Sequence, residues 1–172
     1  MISLQQMNDV IVWDGLKDFG TFVLSYCHGG NLPDYQVMDL MKIPRLVPHI
    51  WVWDLRTFGD DGKYLINFCG EEINRSWGRN LMGETENAIQ PQRHKDDYVN
   101  IKMGAFADAI SRQKVLVSHV NEEFYYEDRL KTGSVETMFF PCSTNGQTIN
   151  WCVGCIHYKP DFLEQENQFL LF

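Results

Sequence analysis

Residues 136–158 read E-T-M-F-F-P-C-S-T-N-G-Q-T-I-N-W-C-V-G-C-I-H-Y. Two apolar runs, Glu136–Ser143 and Ile149–Tyr158, flank Asn145-Gly146, a pair that tolerates positive φ and marks a tight hairpin. Two antiparallel strands are predicted here. The second is apolar on both sides. Ile149, Trp151 and Val153 fall on one face, Ile156 and Tyr158 on the other. Both faces of the sheet should therefore be covered.

Upstream, Val115–Val120 reads as a strand that Phe124-Tyr125-Tyr126 could extend, and His49–Trp53 and Tyr64–Cys69 read as a hairpin turning at Asp60-Asp61-Gly62. Between these groups, Glu71–Trp77 should form one or two helical turns ended by Gly78. A longer helix is expected over Arg93–Ser111, with Tyr98, Ile101, Phe106 and Ile110 on its apolar face. A short helix over Met38–Leu46 would be kinked at Pro44. Near the N-terminus, Leu16, Phe19, Val23 and Tyr26 recur at helical spacing, with Trp13 one turn earlier. Gly29-Gly30 ends that helix, and Phe162–Phe172 reads as an amphipathic tail helix after Pro160.

Five strands with helices inserted between the second and third cannot alternate as a parallel α/β fold. They predict α+β architecture: one five-stranded antiparallel sheet, helices packed on one face and a flanking N-terminal helix. This is the PAS layout, in which the first strand neighbours the last. The expected divisions are a flanking helix at 1–31, a PAS-like domain at 32–160 and a tail helix at 161–172.

The bulk composition narrows the partners. The 172 residues suit one domain with terminal extensions. An apolar fraction of 44% with 13% aromatics excludes disorder. The net charge of −8 argues against nucleic acid and against anionic membrane surfaces. No apolar run approaches a membrane span, and the first residues lack a signal-peptide pattern, so a cytoplasmic location is expected. The five scattered cysteines agree with a reducing compartment.

Three segments carry a family resemblance. They are Asp39–Ile50, Cys69-Gly70 with Gly78–Gly83, and Phe140–Gly146. In order and spacing they resemble a PAS-like family of short stand-alone bacterial proteins, mainly alphaproteobacterial, over about Leu32 to Tyr158. The chain departs from that pattern at Asn67, where the family tends to carry Arg, at Glu71, where it carries Thr, and at Asn80-Leu81-Met82-Gly83, where Asp-Leu-Thr-Gly is usual. The resemblance implies a sensory role by analogy with PAS domains.

Cys152 and Cys155 have the spacing of a metal or redox pair, yet on a strand they should point to opposite faces. They are therefore expected to pack rather than ligate. His94 could hold haem from the helix facing the sheet, although its neighbours are charged. Residues 71–77 lack the cysteine that flavin-adduct chemistry needs. His119 with Tyr125 or Asp128 is a candidate acid–base set for an enzyme with a cone-shaped α+β pocket.

A pocket between sheet and helices is expected to involve Phe68, Trp77, Met103, Phe106, Met138 and Phe140, with Asn67 and Ser118 as polar contributors. Trp51 and Trp151 lie on the same enclosing elements. The ligand would be small and apolar or flat; no cofactor is required by the sequence. The N-terminal stripe of Trp13, Leu16, Phe19, Val23 and Tyr26 must be buried, and a homodimer through it is expected. The reading is a non-catalytic sensory or ligand-binding module whose output runs through a partner protein or oligomeric state. The alternatives are the small acid–base enzyme and an interaction domain with a filled core.

Overall fold

The computed structural model describes residues 4–27, 32–56, 63–93, 97–161 and 166–172, and at 90–93 and 97–100 only the backbone. Strands β1 (Ile50–Asp54), β2 (Leu65–Cys69), β3 (Leu116–Tyr126), β4 (Arg129–Cys142), β5 (Trp151–Lys159) and β6 (Gln168–Leu171) form one antiparallel sheet, ordered β2-β1-β5-β4-β3-β6. Helices α3 (Glu71–Trp77), α4 (Glu86–Arg93) and α5 (Asp97–Arg112) lie between β2 and β3 in the chain. The chain thus has the PAS-like α+β fold, with β1 beside β5 as expected.

The β4–β5 pairing runs from Ser134↔Lys159 to Cys142↔Trp151, close to the predicted one. The turn differs. Asn145-Gly146 does not close a two-residue hairpin but sits in a longer loop. There Asn145 Oδ1 accepts from the Gln147 and Thr148 amides and from Ser143 Oγ, an Asx-type turn. The tight hairpin lies elsewhere. Glu127 and Asp128, both at positive φ (49° and 57°), join β3 to β4, with Tyr126 opposite Arg129.

Three further expectations are corrected. The tail is strand β6, not a helix, over Gln168–Leu171. It pairs with β3 from Leu116↔Leu171 to His119↔Gln168, covering a strand edge that would otherwise be open. In place of a helix over Met38–Leu46 there are 3-10 turns at Tyr35–Val37, Leu40–Lys42 and Val47–His49, because Pro44 and Pro48 interrupt helical bonding. The helix expected over Arg93–Ser111 is α5, and the unforeseen α4 precedes it. On α5, Phe106 is buried whereas Ile101 is 58% exposed, so the apolar face is narrower than its spacing implied. Residues 28–31, 57–62, 94–96 and 162–165 lie outside the described residues. With them go Gly29-Gly30, the Asp60-Asp61-Gly62 turn, His94 and the start of the tail.

The sheet carries a core on each face. The inner face packs Trp51, Trp53, Val120, Phe124, Val135, Phe139 and Ile156 against α3–α5. The outer face packs Ile50, Val52, Val117, Met138, Phe140, Trp151 and Val153 against helices α1 (Leu4–Asn8) and α2 (Asp14–Leu24). Leu16, Phe19 and Val23 on α2 are fully buried there, within their own chain, and Trp13 and Tyr26 are half-buried. The assignment of this stripe to a dimer interface is therefore corrected: α2 satisfies its apolar face on its own sheet.

Among the described residues, no helix is long and apolar enough to cross a membrane.

Candidate functional site

A cavity of about 130 Å³ lies between the inner sheet face and the helical layer. Its floor is Trp51 and Trp53 from β1, Ile66 and Cys69 from β2, Glu122 from β3, Thr137 from β4, and Ile156 and Tyr158 from β5. Its roof is Ile73 and Trp77 from α3, Leu81, Ile89 from α4, and Lys102, Met103 and Phe106 from α5.

Local structure sets this geometry. Gly70 precedes α3, and Gly78 ends it in the left-handed conformation (φ 69°). Asn74 then ties the next segment down: its Oδ1 accepts from the Leu81 amide and its Nδ2 donates to the Cys69 carbonyl. The chain turns back so that Gly83 and Glu84 hydrogen-bond with Ile66, covering the β2 edge and pressing Leu81 into the roof. On the floor, Gly154 has no side chain, and the Trp51 ring lies across it. Trp51 stacks on Phe139 (6.3 Å, 19°), Phe139 meets Phe106 edge-on at 4.7 Å, and Trp53 stacks on Tyr64 (4.1 Å, 8°).

The polar content is small. Lys102 Nζ donates to Glu122 Oε2 at 2.8 Å, with side chains 19% and 3% exposed, so a buried carboxylate is neutralised from α5. Trp51 Nε1 and Thr137 Oγ1 are buried with no hydrogen-bond partner among the described residues. Burial pushes the Cys69 thiol up to about 12, which keeps it protonated and a poor nucleophile.

Of the predicted pocket residues, Trp77, Met103 and Phe106 line the cavity. Phe68, Met138 and Phe140 pack on the outer face instead, as does Trp151. Met138 and Phe140 alternate with Thr137 and Phe139, so their faces follow from register, which an all-apolar run conceals. Phe68 is moved by a β-bulge. Val52 pairs with Phe68 but Trp53 pairs with Ile66, leaving Asn67 as the extra residue. The bulge turns Phe68 outward and Cys69 inward. Asn67 is exposed and hydrogen-bonds the Tyr35 side chain rather than a cavity group. Ser118 is buried on the inner face, opposite Thr137 on one side and Phe169 on the other, and does not line the cavity. The sequence reading missed Trp53, Lys102, Glu122, Thr137 and Tyr158. No local signal marks the ion pair, because which faces of α5 and β3 meet is set by tertiary register.

Cys152 and Cys155 are fully buried in opposite cores, as strand alternation requires. His119 does not meet Tyr125 or Asp128, since Tyr125 lies roughly 20 Å further along β3. Its Nδ1 lies 3.5 Å from Glu136 Oε1 instead. Glu136 accepts the Val12 and Trp13 amides at 2.7 and 2.8 Å, anchoring the start of α2.

Trp13 completes that anchor by stacking on His157 (4.4 Å, 14°) beside His49 (5.0 Å). Burial lowers the pKa of both rings. His49 and Lys159 lower His157 further, while Glu72 and the Ile156 carbonyl partly offset the shift at His49. Glu136 faces His157 across β4, with His119 beyond it. Both rings take up protons less readily folded than unfolded. Their contribution to stability is therefore present above their ordinary pKa of about 6.5 and is lost as pH falls through the lower folded values. Urea midpoints should fall between pH 7.5 and 5.5, and fall less in His157→Gln. An equal decline in the variant would place the acid sensitivity elsewhere.

No family model matches the chain, and no curated protein does. Solved structures are similar to it. One is a light-oxygen-voltage domain studied with a flavin analogue, 12% identical over 73% of this chain and 86% of that chain (TM-score 0.47). Another is the PAS domain of a protein from Colwellia psychrerythraea, 13% identical over 70% and 97% (0.47). A third is a light-oxygen-voltage protein from Rhodobacter sphaeroides, 10% identical over 83% and 67% (0.45). The PAS-like fold assignment rests on the strand order and the position of the inserted helices.

Proposed function

We propose that this chain is a sensory module that binds a small molecule in the cavity beneath α3–α5. It passes occupancy on through a partner protein or through oligomeric state, and performs no chemistry itself. One observation carries the reading: the large aromatic side chains of the inner core leave about 130 Å³ unfilled between them. Cores normally close such voids, so this opening favours a binding module over an interaction domain with a filled core. The protonated Cys69 thiol and the mutual pairing of Lys102 with Glu122 favour binding over acid–base catalysis. The motif resemblance supports placing the chain among short stand-alone bacterial PAS-like proteins, with 32–160 as the sensing core.

Phe106→Trp tests the reading. Phe106 stands on α5 against Trp51, Trp53 and Phe139, and a larger ring there should occupy the cavity. Native mass spectrometry is expected to show a small molecule retained by the wild type and lost from Phe106→Trp, with the variant still folded by circular dichroism. Undiminished retention in the variant would remove this cavity as the site.

A further inference from the structure

We propose that the cavity takes a neutral, single-ring aromatic molecule carrying one hydrogen-bond-accepting oxygen, the class of phenol and the simple aromatic aldehydes. This rests on the ligand-binding role proposed above.

Size sets the first limit. Pockets for drug-sized ligands run to several hundred Å³, whereas a closed apolar cavity of about 150 Å³ accepts benzene. At about 130 Å³ this cavity seats one ring and its substituent, and a larger molecule would have to extend out through its open side. Shape sets the second. Trp51, Trp53 and Phe106 present ring faces and edges against which a planar guest packs in the offset or edge-on geometry that aromatic pairs prefer.

Polarity sets the third. The Trp51 indole N–H is a donor only, buried and without an acceptor among the described residues. A buried donor left unsatisfied is costly, so the guest that relieves it must bring an acceptor. Thr137 Oγ1, on the same cavity floor and likewise without a partner, can donate to that oxygen or accept from it if the oxygen is a hydroxyl. Charge sets the last limit. Lys102 and Glu122 neutralise each other at 2.8 Å, so an ionic guest would be desolvated with no free counter-charge from this pair. The guest is therefore uncharged.

Isothermal titration of the full chain with phenol, toluene, benzoate and riboflavin tests this. Phenol is expected to bind one to one, roughly tenfold more tightly than toluene, the difference a single hydrogen-bonded oxygen supplies. Benzoate and riboflavin should not displace it. Thr137→Val, which exchanges the hydroxyl for a methyl of nearly the same shape, should bring phenol toward toluene, the effect expected when a polar contact is removed. The wild-type ratio is decisive even if a variant folds poorly. Equal binding of phenol and toluene overturns the oxygen requirement but leaves the cavity as a binding site. Displacement of phenol by riboflavin overturns the size limit, and displacement by benzoate the neutrality. If neither phenol nor toluene binds, the ligand class is overturned. If, in addition, the wild type retains nothing in native mass spectrometry, the binding role fails with it.

Discussion

Phe19→Ala is expected to cost about 3–5 kcal/mol of folding stability, read as a fall in the urea midpoint at constant slope. Phe19 is fully buried on α2 and meets Phe140 edge-on at 5.9 Å. The helix comes close to the sheet at the next residue, Gly20, where an added Cβ would stand 3.0 Å from Met138 Sδ. A sheet and helix held this tightly cannot fill the space of a deleted ring, so the loss should include a cavity penalty as well as lost burial. Against a typical total of about 5–15 kcal/mol, this is a large fraction. Phe19→Glu should be worse, because it buries a charge with no partner. Both losses should be independent of protein concentration, since the contacts lie within one chain. If Phe19→Ala leaves the midpoint unchanged and only weakens self-association, α2 packs on a second copy rather than on its own sheet.

The strands of this fold were legible where alternation and turn chemistry agreed. β1, β2 and β5 were found to within a residue or two, and α3 was read together with its terminating Gly78, whose left-handed backbone glycine adopts at little cost. The sheet faces were harder. In Thr137-Met138-Phe139-Phe140 every second residue on either face is compatible with burial, so nothing local says that Phe139 faces the helices and Met138 faces α2. The bulge at Asn67 is a tertiary fact, set by how β2 pairs with β1 and not by the residues of β2 alone. Reading the strand without it puts Phe68 beside Ile66 and misplaces Cys69. The tail went wrong for a different reason. Phe169-Leu170-Leu171 is too short for period to separate helix from strand, and only the open edge of β3 decides. The ion pair between Lys102 and Glu122 joins residues 20 positions apart in sequence, on elements whose facing depends on that same register.

Gly154→Ala links the fold to the site, and its expected effect is a loss of about 1–3 kcal/mol together with loss of ligand binding. Gly154 lies on β5 between Trp51 on β1 and Phe139 on β4. A Cβ at 154 would overlap the Trp51 six-membered ring. The overlapping group is not the free end of a flexible chain. It is an indole held against Phe139 and Phe106 and only 7% exposed. It must therefore tip away from the sheet, and the nearest open volume is the cavity that Trp51 itself lines. The strain is relieved by filling the binding site, so stability and binding should fall together. Gly104→Ala is the matched control. It adds the same methyl to an exposed position on α5 with nothing within 4 Å, and alanine should raise helix stability there by about 0.5–1 kcal/mol. Chemical denaturation, near-ultraviolet circular dichroism for the Trp51 environment and phenol titration would be run on both variants. A Gly154→Ala protein with wild-type stability and an unchanged aromatic signal would show that Trp51 does not lie across that glycine, and the floor of the cavity would have to be redrawn.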